Sequence, residues 1–103
     1  PSGCWDGATL ELKADADPFV QLGASRFFTD SYNGVFSAGA PRAGAPAWCR
    51  QSNGTAAKHS IVDLDDFAGR SVQLRFRATS DSNTAAAAPN GMVIDNVKVS
   101  VCQ

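Results

Sequence analysis

The residues from Ser71 to Thr79 alternate strictly between apolar and polar side chains. Val72, Leu74, Phe76 and Ala78 fall on one side, and Gln73, Arg75, Arg77 and Thr79 on the other. Successive side chains of an extended strand point to opposite faces, so a period of two predicts a strand with one face buried. Such a strand belongs to an antiparallel sheet, where one face packs on a core and the other stays polar. Ala8 to Ala14 repeats the pattern, with Leu10 and Leu12 inward and Thr9, Glu11 and Lys13 outward. A third strand is predicted from Met92 to Val101, placing Val97, Val99 and Val101 on one side and Asn96, Lys98 and Ser100 on the other. Shorter strands are expected from Phe19 to Leu22 and from His59 to Leu64.

Turn chemistry separates these runs. Asp15-Ala16-Asp17-Pro18 predicts a tight connection, with Pro18 fixing its own backbone angle. Asp65-Asp66-Phe67-Ala68-Gly69 predicts one helical turn closed by Gly69, with Phe67 directed into the core. Ser37 to Thr55 is rich in Gly, Pro and Ala and has no period, which predicts a long loop. Ala85 to Ala88, followed by Pro89-Asn90-Gly91, predicts a second loop, because four alanines cannot sustain a helix before the proline. The chain shows no amphipathic helix and no internal repeat. Short strands with Gly- and Pro-rich joints and no crossover helices give an all-β fold, an antiparallel β-sandwich formed by residues 1–103 as a single domain.

Composition narrows the function classes. Of 103 residues, 44% are hydrophobic, too many for a disordered chain. The formal net charge of −1 provides no basic field to collect phosphates, so nucleic acid is not the expected partner. No apolar run approaches the length of a bilayer span. Pro1-Ser2-Gly3 reads as a processed or cut start, without a signal peptide.

Cys4, Cys49 and Cys102 lack metal-type spacing. A Cys4–Cys102 bridge would staple the two ends of the chain and add roughly 3–5 kcal/mol in the loop-entropy treatment. That pairing implies an oxidising compartment and a secreted protein, and it leaves Cys49 free or paired outside the chain. The alternative is three reduced, partly buried thiols.

Three segments together carry a resemblance. Cys4-Trp5-Asp6-Gly7-Ala8-Thr9-Leu10-Glu11-Leu12 resembles the strand W-D-G-G-x-L-E-I of jelly-roll domains attached to secreted bacterial peptidases and other exported enzymes. The run from Val62 to Arg77 resembles their V-D-L-x-x-[FY]-A-G-x-x-V-x-L-R-F-R segment, and Gly91 to Val99 their closing G-W-x-[VI]-D-[DN]-V-x-V. Order and approximate spacing agree as well. The architecture is similar to MAM adhesion domains and to carbohydrate-binding modules with a galactose-binding-like jelly roll. In MAM domains a cysteine near the domain end is bridged to an earlier strand, and the resemblance thus favours Cys4 with Cys102. Two departures stand out. Family members usually have one or more strands before the W-D-G segment, and the sequence starts almost at that segment. Either the fragment is trimmed or a partner strand comes from elsewhere, leaving an open sheet edge. Met92 occupies the usual aromatic position.

Candidate sites follow from both readings. Strict alternation puts Asp95 on the face of Val97, Val99 and Val101, where a carboxylate needs a cation or several donors. In the carbohydrate-binding relatives the corresponding aspartate often ligates a structural calcium. The resemblance therefore offers Asp95 as a ligand, with Asp6 and Asp81 as companions. The competing reading has Asp95 accepting backbone N–H groups at a bulge or pairing with Arg75 or Arg77. No other cofactor is implied. Trp48, in the long loop, and Tyr32 are the candidate ligand-binding aromatics, whereas Trp5 opens a strand and is expected to pack. The sole histidine, His59, has Ser60 and Asp63 nearby, but alternate residues of one strand cannot converge into a triad, so it is expected as a solvated strand-end residue. Asn53-Gly54-Thr55 is formally a glycosylation sequon and more simply an Asn-Gly turn. The Asp15/Asp17 pair and the Asp63/Asp65/Asp66 group read as turn and cap residues.

The expectation is a non-catalytic accessory or binding domain of a secreted multidomain protein, in the resemblance a C-terminal domain of an extracellular peptidase. Its partners would be the neighbouring domain of the same parent, or an extracellular protein or glycan. A carbohydrate-binding module and a MAM-like adhesion domain are the alternatives.

Overall fold

The computed structural model describes residues 4–49, 59–79, 94 and 96–100. Among them the secondary structure is strand and turn, with two single 3-10 turns and no longer helix. Strand β1 (Gly7–Ala14) is central, between β2 (Val20–Gln21) and β7 (Val72–Thr79), and both neighbours run antiparallel to it. Two short antiparallel pairs complete the described structure: β3 (Phe27–Thr29) with β6 (Ile61–Val62), and β4 (Gly34–Val35) with β5 (Pro46–Ala47). The fold is all-β and antiparallel, built of small, open sheets.

The two strictly alternating segments of the sequence pair with each other over the full length of β1. Their register places Leu10 opposite Phe76, Leu12 opposite Leu74 and Ala14 opposite Val72. Directly opposed residues of an antiparallel pair share a face, so this register stacks the apolar side of one strand beside that of the other. A slip of one residue would turn the entire apolar set outward. Leu10, Leu12, Ala14 and Leu22 form the buried centre, flanked by Phe27, Trp48, Val62, Leu64, Phe67, Val72, Leu74 and Phe76. A second centre of Phe36, Ala40 and Ala47 lies under the β4–β5 pair.

The turns agree with the sequence in place and differ in mechanism. The connection after β1 contains Asp15 at φ 52°, stabilised by Asp17 N–H donating to the Ala14 carbonyl at 3.0 Å. Its left-handed residue is thus an aspartate, a type whose short polar side chain tolerates that conformation. The helical turn is observed at Asp65–Phe67, followed by Gly69 at φ 80°, and Phe67 packs against the core as expected.

Four expectations need correction. Thr9 and Glu11 do not face water: both are buried, so β1 is covered on its polar as well as its apolar side. The stretch expected as a loop from Ser37 contains β5 and a compact turn, in which Gly44 N–H returns to the Phe36 carbonyl. Of the strand expected from Met92 to Val101, Ile94 and Asn96–Ser100 are described, and they join no ladder. Val97 and Val99 are exposed, and Asn96 at φ 55° interrupts the extended backbone that alternation requires. Finally, Cys4 is bridged to Cys49, across 45 positions of sequence, in place of Cys102. The reason lies in the local strand pairing. Trp48 and Ala8 exchange backbone hydrogen bonds at 2.8 and 3.0 Å, and Cys4 N–H donates to the Val35 carbonyl at 2.7 Å. These contacts bring the start of β1 alongside the segment that carries Cys49, whereas Cys102 lies outside the described residues.

Candidate functional site

The polar side of β1 and β7 carries Thr9, Glu11 and Lys13 opposite Arg77, Arg75 and Gln73. Its centre is the Glu11 carboxylate, with a side chain only 5% exposed. An ionised carboxylate at that depth needs charged or hydrogen-bonding partners. Three arginines supply them. Arg75 donates from Nε to Glu11 Oε1 at 2.7 Å, with its Nη2 on the same oxygen. Arg77 reaches Oε2 at 3.5 Å, and Arg42 approaches the same oxygen at 4.0 Å.

Two elements position the three arginines. Arg75 and Arg77 are two apart on β7 and therefore project from one face. The Arg75 guanidinium also lies over the Phe19 ring, 3.9 Å from its centroid. Arg42 comes from the turn between β4 and β5. It donates from Nη1 to Thr9 Oγ1 at 3.0 Å and from Nη2 to Gln21 Oε1 at 2.8 Å, while Gln21 Nε2 donates to the Pro46 carbonyl at 2.8 Å. The same turn holds Trp5. At Gly39 an added Cβ would lie 2.9 Å from Trp5 Cη2, so the indole rests against bare backbone three residues before Arg42. Trp5 is half exposed.

Among the described residues these ion pairs set three guanidiniums against the Glu11 carboxylate. The side chains of Arg75 and Arg77 are 45% and 51% exposed, so the cationic side of the cluster is open to solvent. Arginine stays protonated throughout the physiological range and presents five N–H donors in a planar fork. The arrangement can hold an oxyanion.

The two aromatics expected as ligand platforms are packed instead. Tyr32 and Trp48 lie 4.7 Å apart between ring centroids, with Phe27 against both and Phe76 against Trp48. The Tyr32 hydroxyl donates to the Leu22 carbonyl at 2.6 Å, and burial pushes its pKa above the ordinary value. Trp5, expected to pack, is the exposed tryptophan. The roles are exchanged because Trp48 is drawn into the core by its ladder with Ala8.

Of the residues expected around calcium, Asp6 is exposed, while Asp81 and Asp95 lie outside the described residues. Among the described residues no three His, Cys, Asp or Glu side chains are grouped to hold a metal ion. His59 is exposed, and its N–H donates to Asp30 Oδ2 at 2.9 Å. Ser60 Oγ donates to the Asp30 carbonyl, and Asp63 Oδ1 accepts from Asp65 N–H, so the Ser60 and Asp63 side chains are engaged in different places. Asp15 and Asp17 are joined by Arg70 at 2.7 and 2.8 Å, and Asp66 pairs with Arg26 at 3.0 Å. Asn53 lies outside the described residues.

Sequence reasoning missed Glu11 and Arg42 as site residues. The available signal was one acidic residue at the middle of the polar side of an alternating strand, matched by Arg75 and Arg77 on the other. Arg42 had none, since its place depends on the fold of an aperiodic turn. No family model, curated protein or solved structure matches this chain.

Proposed function

We propose that this chain is a non-catalytic binding module of a secreted multidomain protein, an accessory domain of an extracellular peptidase in the form suggested by its sequence resemblance. One observation carries the reading: the principal charged constellation engages the buried Glu11 carboxylate and turns permanently cationic N–H donors to solvent. Such a group binds; it does not transfer protons. The Cys4–Cys49 bridge supports an oxidising compartment. The test is deletion of the module from the secreted protein that carries it. Retention on the natural, insoluble or macromolecular substrate should fall while turnover of a small soluble substrate is kept. Loss of small-substrate turnover in a folded deletion protein would overturn the reading.

A carbohydrate-binding module is the second reading, favoured by the half-exposed Trp5 indole next to the arginine-bearing turn. Calcium on Asp95, with Asp6 and Asp81, is a separate proposal. A rise in the thermal midpoint on adding calcium supports it, and an unchanged midpoint discards it.

A further inference from the structure

We infer that the polar side of β1 and β7 binds acidic sugar chains, with Arg77 and Arg75 gripping a uronate carboxylate or sulfate group and Trp5 stacking on a neighbouring ring. This inference rests on the binding-module reading and adds the class of ligand. Three features of the site point the same way.

The positive charge is local. The chain as a whole carries −1, whereas among the described residues Arg42, Arg75 and Arg77 all pair with Glu11. The complementary ligand is anionic. The donors are also held in place before any ligand arrives. Glu11 fixes Arg75 through Nε and one terminal nitrogen, Phe19 supports the guanidinium plane, and Thr9 and Gln21 fix Arg42. Preorganised forks of this kind suit planar or tetrahedral oxyanions bidentately and lose little side-chain freedom on binding. Finally, an exposed indole adjoins the same turn. Gly39, having no side chain, leaves room for the Cη2–Cζ3 edge of that ring. A flat aromatic face beside cationic donors matches a pyranose bearing an acid, which offers a C–H face and an oxyanion together. An acidic peptide would use the charges and have no need of the indole.

Four polymers separate the possibilities by calorimetry on the folded chain: polygalacturonate, dextran sulfate, neutral dextran and polyglutamate. Binding is expected for polygalacturonate or dextran sulfate, and the preferred polymer tells carboxylate from sulfate. Neutral dextran should show at least tenfold weaker binding. R77Q should weaken the preferred interaction at least tenfold, through loss of one charge-assisted bidentate contact. W5A should weaken it too, with an unchanged circular dichroism spectrum, and the more conservative W5F should restore part of it. Polyglutamate binding as tightly as the sugar polymers, with W5A unaltered, would overturn the inference in favour of simple polyanion docking. So would absence of binding to both acidic polymers, and either result would leave the deletion experiment on the parent protein free to succeed or fail.

Discussion

Glu11 and Arg75 are direct cross-strand partners, and the Arg75 Nε donates to the Glu11 carboxylate at 2.7 Å on a face from which Glu11 is almost wholly withdrawn from water. The pair ties the central strand to its longest neighbour on the side opposite the apolar core. E11Q preserves shape and removes the charge, leaving three guanidiniums to repel one another. Because Arg75 and Arg77 remain half solvated, screening reduces the penalty below that of a fully buried pair. A loss of about 1–3 kcal/mol is expected in urea denaturation at unchanged m-value. R77Q, at the exposed rim, should cost less than about 1 kcal/mol. Equal stability of E11Q and the wild type would show that Glu11 does not organise the cluster.

The Cys4–Cys49 bridge closes a loop of 45 positions of sequence. In the loop-entropy treatment that constraint is worth about 4 kcal/mol, although engineered cases often fall short. Peptide mapping without reduction should recover the Cys4 and Cys49 peptides as one linked species, and C49S should lower the denaturation midpoint. A linked peptide containing Cys4 and Cys102 would reject this pairing. Gly7 gives an independent check on the same contact. A Cβ there would meet Cys49 Cβ and the Trp48 carbonyl oxygen at 3.1 Å, so G7A must push the bridged segment away from β1 and destabilise the protein.

Much of the β1–β7 sheet was legible because its rule is local. Val72, Leu74 and Phe76 on one strand, and Leu10 and Leu12 on the other, each announce a face without reference to the rest of the chain. Alternation specifies which side chains share a side; it does not tell what covers the second side. Thr9 and Glu11 therefore read as solvent-facing, although Arg42 arrives over them from a turn with no period. The exchange of Trp5 and Trp48 has the same origin. Burial of each indole depends on the ladder between Ala8 and Trp48, a contact between residues 40 apart that neither segment signals alone. The cysteine pairing failed likewise: closeness in space follows β4, β5 and the start of β1, and position at the ends of the chain was a poor guide to it.

Acid should act on the turn after β1. The Asp15 carboxyl is held below its ordinary 3.8, first by the hydrogen bond from the Arg70 side chain and next by Ser71 N–H. A depressed native pKa means that the unfolded chain binds protons more readily. The contribution is therefore complete above the unfolded value and is lost as pH falls through the native one. D15N retains a residue tolerant of φ 52° and an oxygen for the 3.1 Å bond from Ser71, and removes the charge. It should be less stable than the wild type at neutral pH and converge with it in strong acid. Parallel pH profiles of the two proteins would show that the Arg70 pair contributes nothing to the acid response.

Alkali should report on the aromatic cluster, and the chain offers a clean probe because Tyr32 is its only tyrosine. Burial raises the Tyr32 pKa above 10.0, partly offset by hydrogen bonds around Leu10 and Gln21 and by the charge of Arg42. In the native protein the hydroxyl donates to the Leu22 carbonyl at 2.6 Å, a bond that ionisation would destroy. With the native value raised, the unfolded chain gives up its proton first. Stability from this group is complete below about pH 10. It declines as pH rises through the native value. The phenolate absorbance band should thus appear at higher pH in buffer than in denaturant, and its rise should coincide with loss of the tryptophan signal of the packed Trp48. Y32F removes the titration and leaves the Leu22 carbonyl without its donor, at a cost of about 1–3 kcal/mol. A native titration midpoint equal to that in denaturant would show Tyr32 to be solvated, and with it the ring cluster that joins Phe27, Trp48 and Phe76 would be unpacked.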